Sequence, residues 1–301
     1  MNISIITQPY NEQGKGLGGG LGPRIILEAD LVKTLINNGH SVTQVKEIEM
    51  SHEDESQYGE WNRVALANSY LATESNKSLE KGDFVLGLFA NCNSVLGLLA
   101  GMQKSKRGSM MPNRVGLVWI DAHGDYNTPE TSPSGMLGGM PVAIAAGKCL
   151  SKIRRTSGLK YPLQAPDIIM LGLRDLDDEE RGLISADSIV TIGEESMLKI
   201  DTKLKDAMNY LVTREDKIYV HVDLDILNPE LAPAAGLPTP GGFSGEELGK
   251  ILRHLISYDK VCGLAMVSYK PERENKTENT RKEIIRAIEI ALMGLKDKEE
   301  K

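Results

Sequence analysis

Asp121, His123 and Asp125 alternate along DAHGDYN, and Asp223 and Asp225 alternate along HVDLDILNP. Each set closes an apolar run, VGLVWI in the first case and IYVHV in the second. Side chains two apart on an extended segment point the same way, so each segment can offer its ligands on one side. Four carboxylates gathered without cations repel one another and partly protonate. Two divalent ions match the charge of four aspartates, so the pattern predicts a paired-metal site at which water is activated. Oxygen-rich ligation with one imidazole favours Mn2+ over Zn2+. Aspartate is also common as a turn and cap residue, which accounts for one such position but poorly for two alternating sets at two strand ends.

Ligands in open α/β folds sit beyond the carboxyl ends of the strands, and the rest of the sequence supplies the elements for such a fold. Apolar runs at 2–7, 83–89, 115–120, 167–173, 217–222 and 261–267 read as strands, and 23–38, 61–80, 94–103, 202–212, 245–256 and 274–293 read as helices. Runs apolar on consecutive positions are buried on both faces, and their alternation with helices implies a parallel sheet. The fold class is α/β, a three-layer α-β-α arrangement with a mainly parallel sheet, in one domain over 1–301. The glycine-rich stretch GKGLGGGLGP at 14–23 matches neither the dinucleotide nor the P-loop spacing and reads as a mobile loop at the mouth of the sheet.

Composition narrows the partners. A formal charge of −7 without a basic stripe gives no footprint for nucleic acid. No apolar run approaches the roughly 18 residues of a membrane span, and MNISIITQPY is too short and polar for a signal peptide. The expected location is the cytoplasm, with a small molecule as partner. Cys92, Cys149 and Cys262 are odd in number and widely spaced, which fits neither a disulfide framework nor a four-thiolate zinc site.

DAHGDYNTP resembles the first metal motif of the arginase and agmatinase (ureohydrolase) family, and HVDLDILNPELAPAAGLPTPGG resembles the second. LGLRDLDDEE is similar to the segment that holds the family's amino-acid-recognising aspartate, and GLGP to the family's start. The resemblance implies a binuclear manganese site and hydrolysis of a guanidino or related C–N bond, releasing urea or an analogue, in a homotrimer or homohexamer. Asp121 and Asp223 then bridge the ions, Asp125 serves one of them and moves the proton, and His123 and Asp225 serve the other. Asn127, Ser134 and Asp177 match residues that hold an amino acid's carboxylate and amino group.

Three departures bear on substrate. Asn93, in Ala90-Asn91-Cys92-Asn93-Ser94, stands where the family has the first metal's histidine, so that ion is expected to bind weakly. Ser268 replaces a glutamate that pairs with the guanidinium, and Glu272 is a candidate substitute. Met136 and Gly138 stand where arginases carry an asparagine and a proton-shuttling histidine. DxHGDxNTPET with LGGM is similar to hydrolases of N-hydroxylated arginine. Asn93 and Ser268 together also raise the alternative of a non-catalytic or metal-poor homologue with a binding or assembly role. His221 is expected to pack in the core, and Cys92 to be a small buried residue.

Overall fold

The computed structural model describes residues 1–104 and 111–299. Eight strands form its central sheet: β1 (Asn2–Gln8), β2 (Ser41–Glu47), β3 (Phe84–Phe89), β4 (Val115–Ile120), β5 (Ile168–Leu171), β6 (Val190–Ile192), β7 (Lys217–Asp223) and β8 (Val261–Val267). They pair in the order β2-β1-β3-β8-β7-β4-β5-β6, and every pairing is parallel. Period-2 alternation splits each central strand between two cores. Phe84, Leu86 and Leu88 face one side of β3, and Val85 and Phe89 the other; in β4, Val118 and Ile120 separate in the same way from Leu117 and Trp119. Helices Thr202–Arg214, Gly245–Ile256 and Asn279–Glu299 close the first core, and Glu60–Glu80, Val95–Gln103 and Asp178–Ala186 the second. This is the three-layer α/β arrangement expected from the apolar runs. Among the described residues no helix is long and apolar enough to cross a membrane.

The two outer strands have no counterpart among the six apolar runs. β2 is half-exposed along its length, and β6 is three residues long with two exposed. An edge strand needs no continuous apolar run and is often kept short and polar. The helix expected at 23–38 is interrupted where Ala29 and Asp30 leave helical geometry, Asp30 adopting φ 58°. The last helix starts at Asn279 rather than 274, because the Glu274 carboxylate accepts the amide protons of Thr280 and Arg281 at 3.3 and 3.1 Å and so acts as its cap.

The stretch 14–23 is at the sheet mouth, but it is tied down rather than loose. Gly14–Lys15 pairs with Tyr10–Asn11 in a small antiparallel ribbon. Beyond it the chain presses on two strand ends: a Cβ at Gly19 would stand 2.7 Å from the Ala90 carbonyl oxygen, and one at Gly22 would stand 2.4 Å from that of Tyr269. Only glycine permits backbones this close.

At the opposite end of the sheet, Glu215 is 1% exposed beside Asp167 and Arg214. Burial, then the neighbouring Asp167, raises its carboxyl from 4.5 to about 7. The folded state therefore keeps a proton that the unfolded chain releases near pH 4.5. The contribution is complete below that pH and is lost as pH rises toward 7. Thermal melts across this window should show stability falling with pH, and Glu215→Gln should flatten the slope; an unchanged slope in the variant would remove Glu215 as its source.

Candidate metal centre

The strand order brings four carboxyl ends side by side: β3, β8, β7 and β4. Register does the rest. Val267 lies opposite Asp223, Ile120 opposite Val222, and Phe89 opposite Val267. Asp121 and Ser268 therefore flank Asp223 on its two sides, with residues 90–93 beyond Ser268.

Asp121, Asp125, Asp223 and Asp225 are all buried, and His123 is partly so. Turns, rather than extended backbone, draw them together. Asp121 Oδ1 accepts the His123 amide at 2.7 Å, and Asp223 Oδ1 accepts the Asp225 amide at 3.0 Å, so the first aspartate of each set folds the chain back on itself. Asp225 Oδ1 then accepts the Ala122 amide at 3.2 Å, which ties the two segments to each other. Asp125 sits at φ 47°, the left-handed conformation that aspartate tolerates better than most residues.

Two groups of three ligand atoms result, each within 4.8 Å: Cys92, Asp121 and Asp125 in one, Asp121, His123 and Asp225 in the other. They share Asp121. Asp223 adjoins the first group, its Oδ2 accepting from Cys92 Sγ at 2.8 Å and from Ser268 Oγ at 2.6 Å. The electrostatics call for cations. Burial and then neighbouring carboxylates push Asp121 well up, burial and then Asp225 raise Asp223 to about 7, and burial is also the largest cause of the upward shift of Asp125. Burial opposes protonation of His123, but its bonds to Asp121 and Asp225 outweigh this and raise it to about 12. Divalent ions beside these carboxylates would relieve their repulsion. The donor set of carboxylates and one imidazole fits two such ions; burial and the aspartates push the Cys92 thiol well up, so it would join the set only as a thiolate.

Cys92, expected to be a small buried residue, is part of the cluster. Asn93 is fully buried beside it. Its Nδ2 donates to Glu12, while its Oδ1 is buried with no hydrogen-bond partner among the described residues, an acceptor open to a cation. His221 packs in the core as expected. Its ring stacks on Trp119 at 4.2 Å and 4°, its Nδ1 meets the Tyr219 hydroxyl at 2.7 Å, and burial lowers it to about 3.

The centre lies in a cavity of about 780 Å3, large enough for an amino-acid substrate. On the β4 side Asn127 donates to Asp177 Oδ2 at 3.0 Å and accepts from Thr131 at 2.9 Å. Ser134 stands at the exposed rim, accepting the Met136 amide, and Met136, Gly138 and Glu272 line the cavity too. Glu12, Glu180 and Lys270 are lining residues that the sequence motifs do not single out. Glu180 is 3% exposed and accepts the Tyr126 amide at 2.8 Å.

Comparison with known proteins bears on the fold and the family. The arginase family model matches residues 1–294. The arginase of Bacillus subtilis strain 168 is 30% identical over 293 residues, covering 95% of this chain and 97% of its own. That of Bacillus caldovelox is 29% identical over 302 residues, covering 97% and 96%. A crystal structure of Bacillus subtilis arginase superposes with a TM-score of 0.82 at 29% identity, covering 97% of this chain and 98% of its own. Formimidoylglutamase from the same species shares the fold at a TM-score of 0.73 and 16% identity, covering 98% and 87%.

Proposed function

Because the chain belongs to the arginase family, we propose that it is a manganese-dependent hydrolase of an amidino or guanidino C–N bond in an arginine-like amino acid, releasing urea or an analogue. The observation that carries this reading is the pair of ligand groups sharing Asp121 in the cavity. In this reading Asp121, Asp125, Asp223, Asp225, His123 and Asn93 hold two Mn2+ ions, and Cys92 joins the set only as a thiolate. Bound ions supply Lewis acidity and bring the pKa of water toward neutrality. Asp125 orients the attacking water, takes its proton on a carboxylate oxygen and passes it to the leaving amine as the C–N bond breaks. Asp177 pairs with the substrate's α-ammonium group, and Asn127 and Ser134 hold its carboxylate. A cytoplasmic homotrimer or homohexamer belongs to the same reading.

The test is metal counting on purified protein together with urea release from arginine, N-hydroxyarginine, agmatine and guanidinobutyrate. Agmatine lacks the α-carboxylate and so forfeits the contacts to Asn127 and Ser134. We expect kcat/KM for agmatine to be roughly tenfold or more below that for arginine or N-hydroxyarginine, the scale of one lost hydrogen bond to a charged group. A preference for agmatine, which keeps the amino group, would overturn the assigned roles of Asn127 and Ser134.

A second reading, a non-catalytic homologue, draws on two contacts. The Asn93 amide nitrogen is committed to Glu12, and the Ser268 hydroxyl to Asp223. Protein that binds fewer than two metals and releases urea from none of the four compounds would favour it.

A further inference from the structure

Glu12 lies in the turn of the small ribbon between Tyr10–Asn11 and Gly14–Lys15 and lines the same cavity as the aspartates. Its carboxylate accepts from Asn91 Nδ2 at 2.8 Å and from Asn93 Nδ2. Both donors are neutral amides. Among the described residues no Lys, Arg or His lies within ion-pair distance of it; Lys270, on the same cavity wall, feels its charge without pairing with it. A part-buried carboxylate without a cation is unfavourable unless something positive enters beside it.

Its position is fixed. Asn91 and Asn93 flank Cys92, whose Sγ is 2.8 Å from Asp223, so Glu12 stands on the β3 side of the centre, away from Asn127 and Asp177. The close approach of Gly19 to Ala90 and of Gly22 to Tyr269 holds the segment there. Ser268, at the end of β8, has no charge to offer, and its hydroxyl is engaged with Asp223. The geometry points to Glu12 as the residue that recognises the cationic guanidino end of the substrate, a role that an acid at position 268 would otherwise fill. The inference rests on the amino-acid hydrolase reading above and adds the source of its charge selectivity.

L-Lysine and L-norleucine test it. They share the amino-acid head and chain length, differ by the terminal ammonium group, and have no guanidino bond to cleave. In calorimetric titration of the Mn2+-loaded protein, lysine should bind more tightly than norleucine. Glu12→Gln should weaken lysine by about 10- to 100-fold, the scale of a lost charge-assisted hydrogen bond, and leave norleucine unchanged. Glu12→Asp should retain part of the preference. If Glu12→Gln keeps the full preference for lysine, the inference fails while the hydrolase reading stands. If the variant instead loses Mn2+, Glu12 acts through Asn93 on the metals, and the inference again fails. If neither amino acid binds the wild type, or lysine binds no more tightly than norleucine, the inference fails, while urea release from the guanidino compounds decides the hydrolase reading separately.

Discussion

On the two-metal hydrolase reading, Asp121→Asn is expected to lower hydrolysis by roughly a thousandfold or more and to remove at least one bound Mn2+ ion. The size follows from position: Asp121 is the one residue common to both ligand groups, and losing several kcal/mol of metal-derived stabilisation corresponds to at least three decades in rate. The substitution is nearly isosteric. The asparagine oxygen still accepts the His123 amide that Asp121 Oδ1 takes at 2.7 Å, so the turn and the fold survive while a charge disappears. Elemental analysis should show reduced manganese and a thermal melt should show a folded protein, with no urea released. Asp223→Asn is expected to behave alike. Wild-type metal content in either variant would remove the basis of the site assignment.

On the same reading, Asn93→His is expected to tighten Mn2+ by about 10- to 100-fold or more. Changes in groups that merely support a ligand alter affinity on that scale, and a direct donor matters at least as much. The surroundings suit an imidazole: Glu12 already accepts a hydrogen bond from residue 93, so it can accept a ring N–H and leave the other nitrogen free to bind metal. Calorimetric titration of Mn2+ into stripped wild type and variant measures the difference. Equal affinities would mean that residue 93 answers only to Glu12 and that Cys92 supplies the donor from the end of β3. Tighter binding without urea release from any guanidino compound would favour the non-catalytic reading.

The sequence was most legible where burial is two-sided. β3 and β4 are apolar at every position because both faces are covered, and they stand out as uninterrupted runs. β2 and β6 lie at the rims of the sheet, where one covered side suffices, and their composition carries no such mark. The aspartates and His123 were legible for a different reason: each set is contiguous, so two short turns decide its geometry. Glu12 was not, because its place depends on glycines pressed against Ala90 and Tyr269, residues far away in the chain. Cys92 stayed hidden because a thiol between two asparagines has no local partner. Asp223 and Asp121, 131 and 29 residues distant, are what give it a role.

The strand order also governs how the chain reaches this structure. β2-β1-β3 and β4-β5-β6 are complete once residue 192 has been made, yet their inner edges, β3 and β4, meet nothing until β7 and β8 are inserted between them. Until then two wholly apolar strands present open backbone edges, the kind that template pairing with another chain. Long-range parallel pairing of this sort forms slowly and leaves such intermediates exposed to aggregation. Newly made protein should therefore depend on protection during the interval before β8 docks, and the aspartate cluster can assemble only late, because half-assembled sheet contains neither Asp223 nor Asp225.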